Sequence, residues 1–247
     1  MIPKIIHYCW FGGGPLPQEA KRCIESWKKF FPDYIIKHWD ESNFDVTANS
    51  FVADAYKAKK YAFVSDYARF AILYEYGGLY FDTDVEIIQP MDDIVSQGAF
   101  MGCELSPTVH DNTILVAAGL GLGVEAGHPI YKELLDEYQQ MAFADKFGKP
   151  TKTVVHVGTE VLKRHGLQNT DQVQQVEGIW IYPKPYFCPI DYDGHLHLSP
   201  CTRSIHYYAG TWRSPFYNKM RKWTLQLMGV KGKERIARLL HKLGKKY

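Results

Sequence analysis

Two aspartates one residue apart, Asp82 and Asp84, stand inside the apolar and aromatic stretch GGLYFDTDVEII at residues 77–88. Side chains alternate along an extended chain, so both carboxylates are expected on one side with Thr83 between them. Carboxylates that close repel each other, and a cation relieves the repulsion. Hard oxygen ligands of this kind suit Mg2+ or Mn2+, which take one or two carboxylates and complete their coordination with phosphate oxygens and water. A diphosphate is the natural third party. The plain alternative is a polar turn without chemistry, and the apolar strand around the pair argues against it. An EF-hand loop counted from Asp82 would need Gly and Glu where Ile87 and Asp93 stand, which excludes that kind of calcium site.

Just upstream, Asp66 and Arg69 are three residues apart and share a face of an expected helix. Ser65 is placed to cap its N-terminus, Asp66 falls in the first turn where the macrodipole favours an acid, and Gly77 stops the helix. As an isolated surface pair, Asp66 and Arg69 would contribute a few tenths of a kcal/mol. Beside the aspartate pair, the planar fork of the guanidinium gains a use, since it matches phosphate or sugar oxygens.

The elements that must carry these residues alternate. PKIIHYCW at residues 3–10 reads as a buried strand, FGGGPLP as a loop, and Pro17 opens a helix with Ala20, Ile24, Trp27 and Phe31 on one face. YIIKHW reads as a second strand and SFVADAYKAKK as a helix. Leu79 to Phe81 then enter the sheet, which sets the aspartates just past a strand's carboxyl end, where open α/β sheets bind ligands. Such alternation points to a parallel sheet in an α/β domain. Downstream, TILVAAGLGLGV is apolar and rich in glycine, HPIYKELLDEYQQM reads as a helix, and EGIWIYP and SIHYY as strands.

At 247 residues and 46% hydrophobic content, the chain has enough length and apolar surface for one sizeable core. Its 17 Tyr and 6 Trp suit a binding cleft and an ordinary core equally. The five cysteines lack a CxxC pair, so neither a disulfide framework nor a zinc site is indicated, and a cytoplasmic setting is expected. The N-terminal apolar stretch is too short for a signal peptide, and no 18-residue apolar run occurs. The net charge of +2 conceals an asymmetry: residues 219–247 carry ten Lys/Arg against Glu234 alone, leaving 19 basic and 26 acidic residues before them. No nucleic-acid partner is expected. The division read from these features is a catalytic domain at 1–218 and a basic tail at 219–247. In the tail, Ile236, Leu239, Leu240 and Leu243 recur at helical spacing among Lys and Arg. That pattern fits either a peripheral helix on an anionic membrane or a C-terminal helix docked on its own domain.

The stretch SDYARFAILYEYGGLYFDTDVEI resembles the DXD-containing sugar-binding region of family 32 glycosyltransferases, a family of capsular polysaccharide enzymes and fungal mannosyltransferases, and is similar to the glucosylating domains of large clostridial toxins. Ser65, Asp66, Arg69, Gly77, Gly78, Tyr80, Asp82 and Asp84 fall on that pattern. IPKIIHYCWFGG resembles the family's opening strand, which implies that Trp10 stacks on the nucleotide base. SIHYYAGTW resembles its closing segment, which implies that His206 helps hold the metal or diphosphate and that Trp212 packs over the phosphates. Residues 98–200 match only loosely.

The resemblance implies a GT-A-type, Rossmann-like α/β domain that binds a nucleotide-sugar donor through Mn2+ or Mg2+ at Asp82 and Asp84, with Ser65 and Arg69 in the donor site and Asp66 anchoring sugar hydroxyls. It further implies a retained anomeric configuration. The expected activity is transfer of a hexose from UDP-galactose or UDP-glucose to a bacterial capsular or cell-surface saccharide, lipid-linked in one version, in the cytoplasm or at the inner face of the cell membrane. Two rivals stay open. One is a haloacid-dehalogenase-like phosphatase with Asp82 as nucleophile, although Val85-Glu86 replaces its usual Gly-Thr. The other is a non-catalytic nucleotide-sugar-binding protein.

Overall fold

In the computed structural model, which describes residues 1–109, 111–144, 152–191 and 195–209, the β-branched and aromatic IIHYC forms β1 (Ile5–Cys9). Trp212 and the basic segment 219–247 lie outside the described residues. After the glycine-rich loop, Pro17 occupies the N-cap of α1 (Gln18–Phe30), whose Ala20, Cys23, Ile24 and Trp27 are buried at the three- and four-residue spacing of one helix face. β2 (Ile35–Trp39) runs parallel to β1, and α2 (Ser50–Lys57) starts from Asn49, whose side chain accepts the Val52 N–H at 2.9 Å.

The next helix departs from the expected start. α3 spans Tyr61–Tyr76, so Ser65 lies inside it rather than at its N-cap and Asp66 is beyond its first turn. The apolar residues around Val64 extend the helix backwards, and the Ser65 hydroxyl bonds back to the Tyr61 carbonyl at 3.1 Å, as mid-helix serines do. Gly77 ends the helix at φ 63°, with its N–H on the Leu73 carbonyl. β3 (Gly78–Tyr80) follows, and a turn leads to β4 (Val85–Ile87).

The second half contains α4 (Asp92–Val95), β5 (Phe100–Leu105), β6 (Leu115–Val124), α5 (Pro129–Gln140), α6 (Val154–Arg164), β7 (Gln174–Val176), β8 (Ile179–Tyr182) and β9 (Ser204–His206). Of these, α4, β5, α6 and β7, and the strand character of β6, were not anticipated. The glycine-rich apolar run is β6, a long strand buried along nearly all of its length.

Seven strands form one sheet in the order β2-β1-β3-β6-β5-β8-β7. The pairings give β2, β1, β3, β5 and β8 one direction, with β6 and β7 opposed. The expected α/β class with a mostly parallel central sheet therefore holds, and it is the fold class of a GT-A-type domain. Alternate residues feed two cores. Ile6, Tyr8, Leu79, Phe81 and Phe100 pack with α1 on one face, while Cys9, Tyr80 and Met101 pack with α2, α3, α5 and α6 on the other. β4 and β9 form a separate antiparallel ribbon. All five cysteines are free thiols, and among the described residues no helix is long and apolar enough to cross a membrane.

Candidate active site

Asp82 and Asp84 sit in a turn between β3 and β4, not along an extended strand. The Val85 N–H donates to the Asp82 carbonyl at 3.0 Å, closing the turn, and the Asp82 N–H donates to the Gly119 carbonyl of β6 at 3.1 Å. Alternation along a strand thus does not bring the two carboxylates together. The turn does, helped by the β4–β9 ribbon, which pairs Val85 with His206. His206 Nε2 lies 3.1 Å from Asp84 Oδ1. The Ala209 N–H donates to Asp84 Oδ2 at 2.8 Å, and the Tyr207 N–H donates to the Asp84 carbonyl at 3.0 Å.

One ligand atom from each of Asp82, Asp84 and His206 lies within 4.8 Å of the other two. Two carboxylates and an imidazole form a donor set of the right charge and kind for a divalent cation, and His206 Nδ1 is buried without a hydrogen-bond partner. The trio therefore fits the metal that the family resemblance implies. Burial by itself would raise the Asp84 carboxyl and lower the His206 imidazole. Each overrides burial in the other: His206 holds the Asp84 carboxyl below the usual carboxylate range, and Asp84 raises the pKa of His206.

Arg69 is buried, at 3% exposure. Its Nε donates to the Ser65 carbonyl at 3.0 Å, while its Nη2 lies 2.9 Å from Asp66 Oδ1 and 3.2 Å from Asp82 Oδ1. The guanidinium carbon lies 5.0 Å from the centre of the Tyr80 ring, and the Tyr80 hydroxyl donates to Asp82 Oδ1 at 3.1 Å. Two carboxylates therefore share one cation. Burial pushes Asp66 up to about 7 and also raises Asp82, whereas Asp82, Tyr80 and Asp66 keep Arg69 charged against burial. Arg69 acts here as a brace between the helix and the aspartate turn rather than as a surface partner of Asp66.

These groups line a cleft of about 620 Å3. Trp10 stands on its wall just past β1, half-buried, with its indole N–H donating to the Gly14 carbonyl at 2.7 Å. Ser65 also lines the cleft, so the structure brings Trp10, Ser65, Asp66, Arg69, Asp82, Asp84 and His206 together. Trp212 falls outside the described residues.

Three further residues escaped the reading of the sequence. Gly119 faces Asp82 so closely that a Cβ there would lie 2.0 Å from Asp82 Oδ2; the glycines at 119, 121 and 123, spaced by two, were the available signal. Tyr208 packs its ring 4.1 Å from that of His206 and holds φ at 50°, an uncommon value for a bulky residue. Glu104 lines the cleft from β5.

Residues 17–101 match the family described as the glycosyltransferase sugar-binding region containing the DXD motif. Inositol phosphoceramide mannosyltransferase 3 of Schizosaccharomyces pombe is 30% identical over 163 residues, which make up 63% of this chain and 42% of that protein. The chain thus spans less than half of that relative's length. An uncharacterized glycosyltransferase of Acanthamoeba polyphaga mimivirus is 29% identical over 216 residues, covering 81% of this chain and 83% of the viral protein. Among solved structures, PaToxG glycosyltransferase superposes with a TM-score of 0.47 at 20% identity over 66% of this chain and 69% of that one. A glycosyltransferase involved in the glycosylation of the major capsid of PBCV-1 superposes with a TM-score of 0.44 at 13% identity, over 91% of this chain and 100% of that one.

Proposed function

We propose that this chain, whose residues 17–101 match the glycosyltransferase sugar-binding region containing the DXD motif, is a family-32-like glycosyltransferase that moves a hexose, in a metal-dependent reaction, from a nucleoside-diphosphate sugar to a saccharide acceptor. The observation that carries this reading is the convergence of Asp82, Asp84 and His206 beside the Arg69 brace. Asp82, Asp84 and His206 are the ligands for a divalent cation, and an imidazole in the set favours Mn2+ over Mg2+. The bound cation would neutralise charge developing on the departing diphosphate.

The chain's own groups supply the rest. Arg69, kept charged and immobile by two carboxylates, contributes positive potential from a buried site that does not reorganise during reaction. Asp66 accepts hydrogen bonds from sugar hydroxyls while its other oxygen holds Arg69. Trp10 stacks on the nucleotide base, a contact worth about 1–3 kcal/mol. We assign retention of the anomeric configuration on the strength of the family resemblance.

The proposed donors are UDP-galactose and UDP-glucose. The name of the fission yeast relative favours a second reading, in which the transferred hexose is mannose and the donor GDP-mannose. The acceptor is proposed to be a growing cell-surface or capsular saccharide, lipid-linked and reached at the inner face of the membrane, where residues 219–247 would meet anionic lipid.

The deciding experiment follows thermal stabilisation and sugar release for UDP- and GDP-hexoses with and without Mn2+, in the wild type and in Asp84→Asn. One nucleotide sugar should stabilise the wild-type protein only with metal and be cleaved slowly to free hexose. Asp84→Asn should lose both effects while still unfolding cooperatively, at a lowered melting temperature because the buried Asp84–His206 pair is broken. Full activity in EDTA would sink the metal assignment, and stabilisation without any turnover would make the chain a nucleotide-sugar sensor.

A further inference from the structure

Glu104 lies on the cleft wall at the far side of the aspartate turn from Trp10. The strand order places β1, and Trp10 after it, on one side of β3, and β6 followed by β5 on the other. A donor laid across this sheet with its base at Trp10 and its diphosphate at Asp82 and Asp84 therefore directs its sugar towards β6 and β5. The pairing of β5 with β6 slips at this point: Cys103 faces Val116 and Leu105 faces Leu115, so Glu104 is the extra residue of a β-bulge. Bulges of this kind re-aim a side chain next to active sites. Here the re-aimed side chain is a carboxylate that lines the cleft.

Among the described residues, no hydrogen bond or ion pair ends on the Glu104 carboxylate. The basic groups within electrostatic reach are His206, His156 and Lys184, beside the buried thiols of Cys103 and Cys188, and each basic group is held elsewhere. His206 is on Asp84, His156 Nδ1 lies 2.7 Å from the Thr153 hydroxyl, and Lys184 Nζ lies 3.1 Å from Asp191. An acceptor in a partly desolvated cleft wall, with no protein donor on it, is available to a donor from the ligand. The diphosphate cannot be that partner, because it is itself an anion. A sugar hydroxyl can, since it donates one hydrogen bond and carries no charge.

Resting on the glycosyltransferase reading, we propose that Glu104 accepts a hydrogen bond from a saccharide hydroxyl and so fixes which sugar is handled at the β5 end of the cleft. Either the donor hexose or the acceptor saccharide could bring that hydroxyl. Wild-type protein, the isosteric Glu104→Gln and Glu104→Ala are compared in two arms. The first is calorimetric titration, with Mn2+ present, of UDP against UDP-galactose and UDP-glucose, and of GDP against GDP-mannose. The second is the partition of released hexose between water and added methyl glycosides.

If the hydroxyl belongs to the donor, all three proteins bind the nucleoside diphosphate alike and both variants bind the nucleotide sugar at least about tenfold more weakly, the loss expected of a hydrogen bond to a charged group. If it belongs to the acceptor, donor binding and release to water are unchanged and transfer to methyl glycosides falls by at least about tenfold. Variants that match the wild type in both arms overturn the role of Glu104 and leave the glycosyltransferase reading standing. Wild-type protein that binds neither nucleoside diphosphates nor nucleotide sugars with Mn2+ overturns that reading and the Glu104 assignment with it.

Discussion

Gly119→Ala tests whether the position of the aspartate turn, rather than the mere presence of its carboxylates, sets activity. A Cβ built on Gly119 would lie 2.0 Å from Asp82 Oδ2, 2.9 Å from its Cγ and 3.3 Å from Arg69 Nη1. Because real Cβ contacts hardly ever fall under 3.0 Å, the oxygen must retreat by about 1 Å. The turn cannot back away as a unit without giving up the 3.1 Å bond from the Asp82 N–H to the Gly119 carbonyl. Rotation of the carboxylate instead breaks its contacts with Tyr80 at 3.1 Å and Arg69 at 3.2 Å. A misplacement of about 1 Å at a catalytic group costs on the order of 100-fold in rate, or about 2.7 kcal/mol of transition-state stabilisation. The lost charge-assisted hydrogen bond should lower folding stability by about 1.5–3 kcal/mol. The assay is kcat/KM for Mn2+-dependent sugar release, alongside a thermal melt. Gly158→Ala is the control, because its Cβ would meet nothing nearer than Val116 O at 4.0 Å and helix α6 should gain from the change. Wild-type kcat/KM in Gly119→Ala would refute the claim that β6 fixes the aspartate turn.

Two further outcomes follow from the buried charges. Arg69→Lys keeps the cation but cannot reach Ser65, Asp66 and Asp82 at once, so kcat/KM should fall at least about tenfold and stability by about 1.5–3 kcal/mol; unchanged stability in urea would mean that the brace carries no load. Asp66 titrates near 7 when folded because burial raises it from the ordinary carboxylate value. The folded state thus binds its proton more tightly than the unfolded chain, and the stability linked to this proton is complete below the unfolded pKa and is lost as pH rises through about 7. Asp66→Asn carries no such proton, so metal-free denaturation at about pH 5 and about pH 8 should show the variant gaining on the wild type as pH rises; a pH-independent difference would contradict the raised Asp66 pKa.

The position of the site explains why its charges are tolerated. Three carboxylates and one guanidinium lie within a few residues of two apolar cores, where unpaired charge is costly. Arg69 offsets Asp66 and Asp82, and His206 with the Ala209 N–H offsets Asp84. Two negative groups sharing one cation leave a residual demand for positive charge at the turn, and a divalent ion would meet it.

Much of the first half was legible because it is local. The buried spacing of α1, the β-branched runs of β1 and β2, and the stop at Gly77 are properties of short segments, and short-range periodicity records them. Asp82, Asp84, Asp66 and Arg69 stood out for the same reason: a carboxylate pair in an apolar run and an acid three residues from an arginine are visible without any knowledge of packing. The start of α3 was misplaced because Ser65 has the type of a cap but the surroundings of a helix interior, and burial of Val64, Tyr67 and Ala68 outweighs the propensity of one serine. What only the tertiary structure decided depends on contacts distant in sequence. The apposition of His206 to Asp84 needs β9 to pair with β4, the close approach of Gly119 to Asp82 needs β6 to enter the sheet antiparallel beside β3, and the aim of Glu104 needs a slip in the pairing of β5 with β6. Strand order and register arise from which apolar faces bury one another across the whole chain, so no local window of residues contains them.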